Sequence, residues 1–232
     1  MTRRQAADFG ATLTRRRHVL LGLMAGMAWR AALAAPAAEK PGLKRATKKS
    51  EEQAAAERVS QHFPFGPVLP VRPLPAWPVQ THQGRITHLA ALCMGHVTAI
   101  QLVYTNCSAI CPIQGALFAQ AQKLAAGKLS PQAQFLSLSI DPLSDTPQAL
   151  ARWIKPYEPT AQWLAAVPSV DDVKAMQDLL SKGGEAKGDS LDAHPGQVYF
   201  VNRKGALVYR SPSLPTAAQI VAIMADIERS PD

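Results

Sequence analysis

The 232-residue chain contains no uninterrupted run of about 18 apolar residues, so the sequence predicts no well-formed membrane-spanning helix. Charge is also scarce, because Asp, Glu, Lys and Arg make up only 18% of the chain, whereas apolar residues make up 47%. This balance is typical of a hydrophobic core and argues against a largely disordered chain. The length fits one domain of ordinary size with additional segments.

Most of the chain has no excess of positive over negative charge. Residues 1–58 carry 12 Lys and Arg against 5 Asp and Glu, whereas residues 59–232 carry 13 against 12. The net charge of +8 therefore arises almost entirely in the N-terminal segment. A groove that follows phosphates needs clustered Lys and Arg, so the sequence argues against nucleic-acid binding.

The N-terminal segment, residues 1–34, has the organisation of an export signal. Three arginines at 15–17 precede an apolar stretch over 19–29, and small residues follow at 31–35. The paired arginines resemble a twin-arginine signal. We expect cleavage after Ala34 and export to a bacterial periplasm, where disulfides form. An uncleaved signal would instead tether the protein to the inner membrane.

The remaining chain is predicted to be a linker followed by one domain. Residues 35–62 are rich in Ala, Lys and Glu without an apolar period, which is typical of a linker. The domain is expected over 63–232. It opens with six prolines within 64–78, which predict an extended arm, and a small hairpin is expected over 79–89.

From residue 96 onward, predicted strands and helices alternate. Residues 97–105 are β-branched and mostly apolar, as in a strand buried on both faces, and residues 135–140 predict a second strand. A helix is expected after each, and a hairpin over 198–209 precedes a last amphipathic helix. Two βα units followed by a hairpin and a helix predict an α/β, thioredoxin-like fold with a mixed central sheet flanked by helices.

Two of the three cysteines stand where the first predicted strand meets its helix, in the segment NCSAICP at 106–112. We expect the helix to begin at about Pro112, with Cys111 outside it. Both thiols would then face the positive helix end, which lowers the pKa of both and makes the pair reactive or able to bind metal. The alternative is an inert structural disulfide or two core cysteines, but a disulfide that closes so short a loop would remove little chain entropy.

Three segments resemble the Sco/SenC family of copper-binding, thioredoxin-like proteins across roughly residues 76–230. VYTNCSAICP at 103–112 resembles the family's CxxxCP segment, and SIDPLSDTP at 139–147 resembles its second signature, S-[IV]-D-P-x-x-D-T. His194 precedes the predicted strand at 198–201 at the spacing of the family's metal-binding histidine. The three segments occur in the family's order and on the expected elements.

The resemblance implies that Cys107, Cys111 and His194 are copper ligands. Two soft thiolates and one imidazole suit Cu(I), and they also suit Cu(II). Structural zinc would need a fourth protein ligand, and none stands out in the sequence. The implied function is a metallochaperone that delivers copper to the copper-receiving subunit of a respiratory oxidase, at the dinuclear centre of cytochrome c oxidase. Other periplasmic thiol or copper proteins are further partners.

The chain also departs from the family pattern. Ser108 and Ala109 stand where the family commonly has Pro and an acidic residue, and Ala193 stands where Asp often precedes the histidine. We therefore expect partner docking or metal affinity to differ from those of better-known copper chaperones.

Two other functions compete with copper delivery. The first is a thiol-disulfide oxidoreductase that uses Cys107 and Cys111 as its catalytic redox pair and keeps partner cysteines reduced. The second is a thioredoxin-like interaction module with a structural disulfide. Cys93 is expected to be a small buried or half-buried side chain in the loop before the first strand, and a second copper site with the nearby Met94 and His96 is the alternative. Asp141 either tunes the site electrostatically or caps a turn.

Overall fold

An eight-stranded mixed sheet organises the computed structural model of the chain, which describes residues 64–181 and 196–230. The strands lie in the order β1-β8-β7-β4-β5-β6-β2-β3. Their bounds are Gly66–Pro73 (β1), Pro78–Thr81 (β2), Ile86–His88 (β3), Val97–Val103 (β4), Ala133–Ser139 (β5), Trp163–Pro168 (β6), Val198–Val201 (β7) and Ala206–Arg210 (β8). The helices are Leu89–Cys93 (α1), Ile110–Ala125 (α2), Pro147–Ile154 (α3), Val173–Ser181 (α4) and Ala217–Arg229 (α5), and a 3₁₀ turn spans Lys155–Tyr157.

The centre of the sheet is parallel. Strands β4, β5 and β6 run side by side in one direction, and every residue of β4 and β5 is buried, as expected for strands covered on both faces. Val103 pairs with Ser139, so β4 and β5 end together at what we call the carboxyl edge of the sheet. Strand β7 runs antiparallel to β4, with Val198 beside Gln101, so β7 begins near this edge.

Local sequence signals explain where the helices begin. Thr146 is the N-cap of α3, accepting a hydrogen bond from the Ala149 N–H at 3.1 Å, and Pro147 occupies the first turn. Thr216 and Gln219 form a reciprocal capping box at the start of α5. Helix α5 packs against α2, the helix that contains Cys111.

The predicted fold class is confirmed, and so are the small hairpin, the central strands and the last helix. The proline-rich arm is more ordered than predicted, because Gly66–Pro73 pairs with β8 as an outer strand, where proline's missing N–H is tolerated. The prediction for Cys93 was wrong in one respect, since this residue lies in the short helix α1 rather than in a loop.

The predicted export signal, residues 1–34, and the predicted linker, residues 35–62, lie outside the described residues. Within the part of the chain that the structure describes, no helix is long and apolar enough to cross a membrane.

Candidate metal centre

The cysteine pair lies at the carboxyl edge, where the chain leaves β4 and enters α2. The Cys107 N–H donates to the Tyr104 carbonyl at 3.1 Å, which closes a tight turn directly after the strand. Helix α2 begins at Ile110, so Cys111 is inside its first turn. The predicted start at Pro112 was therefore wrong, because the chain is already helical before the proline.

The two cysteine side chains are close together, and no disulfide joins them. The Cys111 N–H donates to the Cys107 sulfur at 3.4 Å, within the range of a hydrogen bond to sulfur. Cys107 is 8% exposed and Cys111 is completely buried, although Asn106, Ser108 and Pro112 around them are exposed. The pair is thus reached from solvent on the Cys107 side.

The pKa of Cys107 is lowered from its ordinary value. Burial by itself raises the pKa of this thiol, but hydrogen bonds together outweigh that effect. The donors are the Cys111 side chain, the backbone N–H groups of Cys111 and Ala109, and the Tyr104 side chain. Hydrogen bonds to the sulfur favour the thiolate, so Cys107 is the more nucleophilic member of the pair.

The pKa of Cys111, in contrast, is raised to about 12. Burial is the largest cause, followed by the hydrogen bond that the protonated thiol donates to Cys107 and by the negative charges of Cys107 and Asp145. The prediction that the helix end lowers both pKa values was therefore wrong for Cys111. The reason is positional, because a residue inside the first turn is screened from water by the helix that follows.

Asp145 is a buried carboxylate that fixes the turn carrying Cys107. Its Oδ1 accepts hydrogen bonds from the N–H of Thr105 at 3.1 Å and from the hydroxyl of Thr105 at 2.6 Å. Its Oδ2 accepts from the Ser139 hydroxyl at 2.6 Å. The carboxylate thus joins the end of β5 to the residue two before Cys107, with both oxygens satisfied.

Asp141 lies in the same loop and caps a turn. Its Oδ1 accepts from the Ser144 N–H at 3.3 Å, and its own N–H donates to the Ser139 hydroxyl at 3.1 Å. Of the two roles considered for Asp141, these contacts favour the turn cap. The residue that acts electrostatically on the thiols is Asp145 instead.

Tyr157 covers the first two turns of α2 beside Cys111. Its hydroxyl lies 3.5 Å from the Pro112 carbonyl, and its ring lies on Gly115. A Cβ at position 115 would come within 3.0 Å of three ring atoms, so only glycine lets the ring approach this closely. Gln122 holds the 3₁₀ turn in place, donating to the Glu158 carbonyl at 2.8 Å and accepting from the Thr160 N–H at 2.9 Å.

The chain returns to this edge at Gly196. A Cβ at position 196 would lie 2.6 Å from the Cδ1 atom of Ile110, so the backbone packs directly on the residue before Cys111. The Gly196 carbonyl accepts from the Leu214 N–H at 2.9 Å. The Gln197 amide donates to the carbonyls of Ser211 at 2.8 Å and Pro64 at 3.1 Å. These contacts anchor the start of β7 next to the cysteine turn.

His194, the third predicted ligand, lies outside the described residues. Within residues 64–181 and 196–230, no three His, Cys, Asp or Glu side chains converge in a way that could hold a metal ion. The structure therefore brings Cys107 and Cys111 together and gives no position for His194.

Cys93 does not belong to the pair. It is completely buried in α1, and burial raises the pKa of its thiol to about 12 despite a hydrogen bond with Thr98. The neighbouring Leu92 carbonyl accepts from Gln134 at the start of β5, which is the opposite edge of the sheet from the cysteine turn. The predicted small buried side chain is confirmed.

The family assignment rests on a family model. The model of SCO1/SenC matches residues 76–229, which is more than half of the chain and includes both signature segments. The chain belongs to the SCO1/SenC family. A comparison with curated proteins finds no match.

Solved structures of SCO1/SenC proteins share the fold. A SCO1/SenC family lipoprotein from Bacillus anthracis is 23% identical, with a TM-score of 0.57 over 70% of this chain and 98% of its own. Yeast Sco1, solved with copper bound, is 17% identical, with a TM-score of 0.58 over 69% and 91%. Arabidopsis thaliana ScoI, also solved with copper bound, is 17% identical, with a TM-score of 0.53 over 71% and 98%. Identities this low establish the thioredoxin-like fold alone.

Three features of this SCO1/SenC site were not predicted from the sequence. Asp145 lies within the SIDPLSDTP segment, but no local pattern indicates that its two oxygens accept hydrogen bonds from Thr105 and Ser139, which follow and end two different strands. The close contact at Gly115 did have a sequence signal. A glycine inside a helix destabilises it by about 1 kcal/mol relative to alanine, so its presence indicates that another group packs closely there. Tyr157 had no signal, because its contact with α2 joins residues about 45 positions apart.

The asymmetry of the two thiols predicts an order of alkylation in the reduced, metal-free protein. Because its pKa is lowered, Cys107 should react with iodoacetamide at neutral pH at least about tenfold faster than Cys111. As pH rises, the Cys107 rate should level off first, once that thiol is fully ionised, while the Cys111 rate continues to increase. Peptide mass spectrometry after timed quenching measures both rates, with Cys93 as the buried control. Equal rates for Cys107 and Cys111 at neutral pH would contradict the described asymmetry.

Proposed function

We propose that this SCO1/SenC protein binds copper through Cys107, Cys111 and His194 and delivers it to a respiratory oxidase during assembly of the dinuclear copper centre. The observation that carries the proposal is the cysteine pair itself, two adjacent thiols on one turn, of which one has a lowered pKa. Membership of the family supports the same reading, since relatives of this fold have been solved with copper bound.

The donor set fits copper as cargo. Thiolates are the ligands that Cu(I) prefers, and an imidazole suits both oxidation states of copper. The pKa of Cys107 is lowered by its hydrogen bonds, whereas Cys111 is protonated at neutral pH because burial raises its pKa to about 12. Copper binding would therefore release the Cys111 proton, so copper affinity should increase with pH.

The position of Gly196 supports His194 as the third ligand. Gly196 packs on Ile110, the residue before Cys111. His194 precedes Gly196 by two residues, and two residues of chain span at most about 7 Å between Cα atoms. We therefore assign the third ligand position to the imidazole of His194.

A second candidate function uses the same sulfurs without metal. Cys107 is slightly exposed with a lowered pKa, and Cys111 is buried behind it, which is the arrangement of an attacking thiol and a resolving thiol. In such a reaction the Cys107 thiolate attacks a partner disulfide, and Cys111 then displaces the partner. The partner gains two electrons and two protons, and the Cys107–Cys111 disulfide forms.

Substitution of His194 separates the two functions. Removing a residue that only orients a metal ligand typically lowers metal affinity about tenfold or more. Removing a ligand should lower it at least as much, so His194→Ala should weaken copper binding by more than about tenfold. The same variant should still form and exchange the Cys107–Cys111 disulfide, because thiol exchange needs no imidazole at that position. Competition with a calibrated copper chelator measures the affinity, and dithiol redox titration measures the exchange.

His88→Ala is the matched control, since His88 is an exposed histidine on β3. It should bind copper as the unaltered chain does. Unchanged copper affinity in His194→Ala would contradict the proposed ligand set, and retained disulfide exchange in a chain that binds no copper would favour the oxidoreductase.

We further propose that the protein works in the periplasm, delivered there by a twin-arginine signal within residues 1–34. Support comes from the paired arginines at 15–17 and the apolar stretch that follows them. Replacing all three arginines with Lys keeps the charge but removes the guanidinium groups, so the precursor should remain in the cytoplasm. Fractionation followed by immunoblotting measures this, and normal export of the variant would contradict a twin-arginine signal.

A further inference from the structure

Exposed apolar side chains surround the cysteine turn. Ile113 is 50% exposed in the first turn of α2, and Leu143 is 82% exposed in the loop that contains Asp145. On either side of them, Leu214 is 40% exposed, Phe65 is 56% exposed and Val170 is 50% exposed. All five residues belong to the carboxyl edge of the sheet, where β4, β5 and β6 end and β1 and β7 begin. We call this group the apolar rim.

The rim continues into an open groove of about 370 Å³. One wall is the loop from Pro142 to Pro147, which includes Asp145, and the other wall comes from the end of β6 and the β2–β3 hairpin. The groove also carries the exposed side chain of Ile86. Together the rim and groove form an apolar strip along the carboxyl edge, the edge on which the cysteine turn also lies.

The charge along this strip has one sign. The described loops of the carboxyl edge, residues 64–65, 104–109, 140–146, 169–172, 196–197 and 211–216, contain four aspartates and no Lys or Arg. Asp171 is exposed and Asp141 is partly exposed, whereas Asp145 is buried. Arg210 ends β8 near this edge, but it is buried and donates to the carbonyls of Leu179 and Leu180. Residues 59–232 as a whole are close to neutral, so the acidic character is local to this edge.

We propose that the apolar rim and its groove are the docking surface for the protein that receives the metal, and that this partner presents apolar side chains bordered by Lys or Arg around its own metal-binding thiols. This docking surface rests on the proposed function, because its partner is the protein that receives copper from Cys107 and Cys111. A copper ion passes between two proteins only where their ligands meet, so the surface around the donor cysteines must contact the receiver. Complementary charge then sets the orientation and the encounter rate.

The negative charge of the aspartates at this edge is unfavourable for two other occupants of the rim, a second copy of the chain and an anionic membrane. A second copy of this chain, docked through the same face, would bring Asp141 and Asp171 against the equivalent carboxylates of its partner, which is unfavourable. An anionic membrane surface would repel the same carboxylates. A basic protein surface is the complement that both the apolar and the acidic features fit.

The test measures the affinity of the reduced, metal-free full chain for the soluble copper-receiving domain of the same organism's oxidase by titration calorimetry. Leu143→Ser removes an exposed rim side chain, and Asp171→Lys reverses an exposed charge, so each should weaken binding by about fivefold or more. Raising NaCl from about 20 to about 200 mM should weaken binding of the unaltered chain and have less effect on Asp171→Lys.

Two matched controls lie away from the rim. Leu69→Ser alters a side chain that is also 82% exposed, on the outer strand β1. Asp226→Lys reverses an exposed carboxylate near the end of α5, where Glu228 contacts Ser130 at the opposite edge of the sheet. Both controls should bind the domain as the unaltered chain does, and all four variants should bind copper with unchanged stoichiometry.

The outcomes distinguish this surface from the proposed function. If the unaltered chain binds no copper, the proposed function is wrong, and so is the proposal that the docked partner receives copper. If copper binding is intact but the rim and control variants have equal affinity for the domain, the docking surface alone is overturned. Vesicle binding or concentration-dependent dimers that disappear in Leu143→Ser would assign the rim to a membrane or to a second copy, and either result would also overturn the proposal.

Discussion

The hydrogen bonds accepted by the Asp145 carboxylate are the interaction on which the rest of the site depends. They connect Thr105, just before the cysteine turn, to Ser139 at the end of the neighbouring parallel strand. A buried carboxylate is stable only when its oxygens are satisfied, so the turn and the strand end must stay in register for the charge to remain buried. The same carboxylate also contributes to the raised pKa of Cys111, which couples the position of the turn to its chemistry.

This constraint explains why two cysteines only four positions apart differ so much. Cys107 lies in the turn, where several donors point at its sulfur, whereas Cys111 lies inside the helix, where burial dominates. The proposed copper uptake and the competing thiol exchange both start from this asymmetry, in which Cys107 ionises more readily and Cys111 retains its proton. Tyr157 packs on Gly115 over the first turns of α2, whereas Asn106 and Ser108 are exposed on the Cys107 side of the pair.

Much of the fold could be predicted from the sequence because its signals are local. The buried β-branched run at β4, the Thr146–Pro147 cap and the hairpin around β7 and β8 each follow from neighbouring residues. The site was harder, because its decisive contacts are distant in sequence. The network of Asp145 spans 40 positions, and no local pattern shows that burial, rather than the helix end, governs Cys111. The pairing of the proline-rich segment with β8 likewise depends on an outer strand edge that only the folded sheet supplies.

The central claim is that the two adjacent thiols and one imidazole hold a single copper ion. X-ray absorption of the reduced, full-length chain loaded with Cu(I) measures that coordination directly, alongside the copper content per chain. The account predicts one copper per chain with two sulfur ligands and one nitrogen ligand, and loss of stoichiometric binding in Cys107→Ser but not in Cys93→Ser. Copper bound without sulfur ligands, or full binding retained in Cys107→Ser, would contradict it.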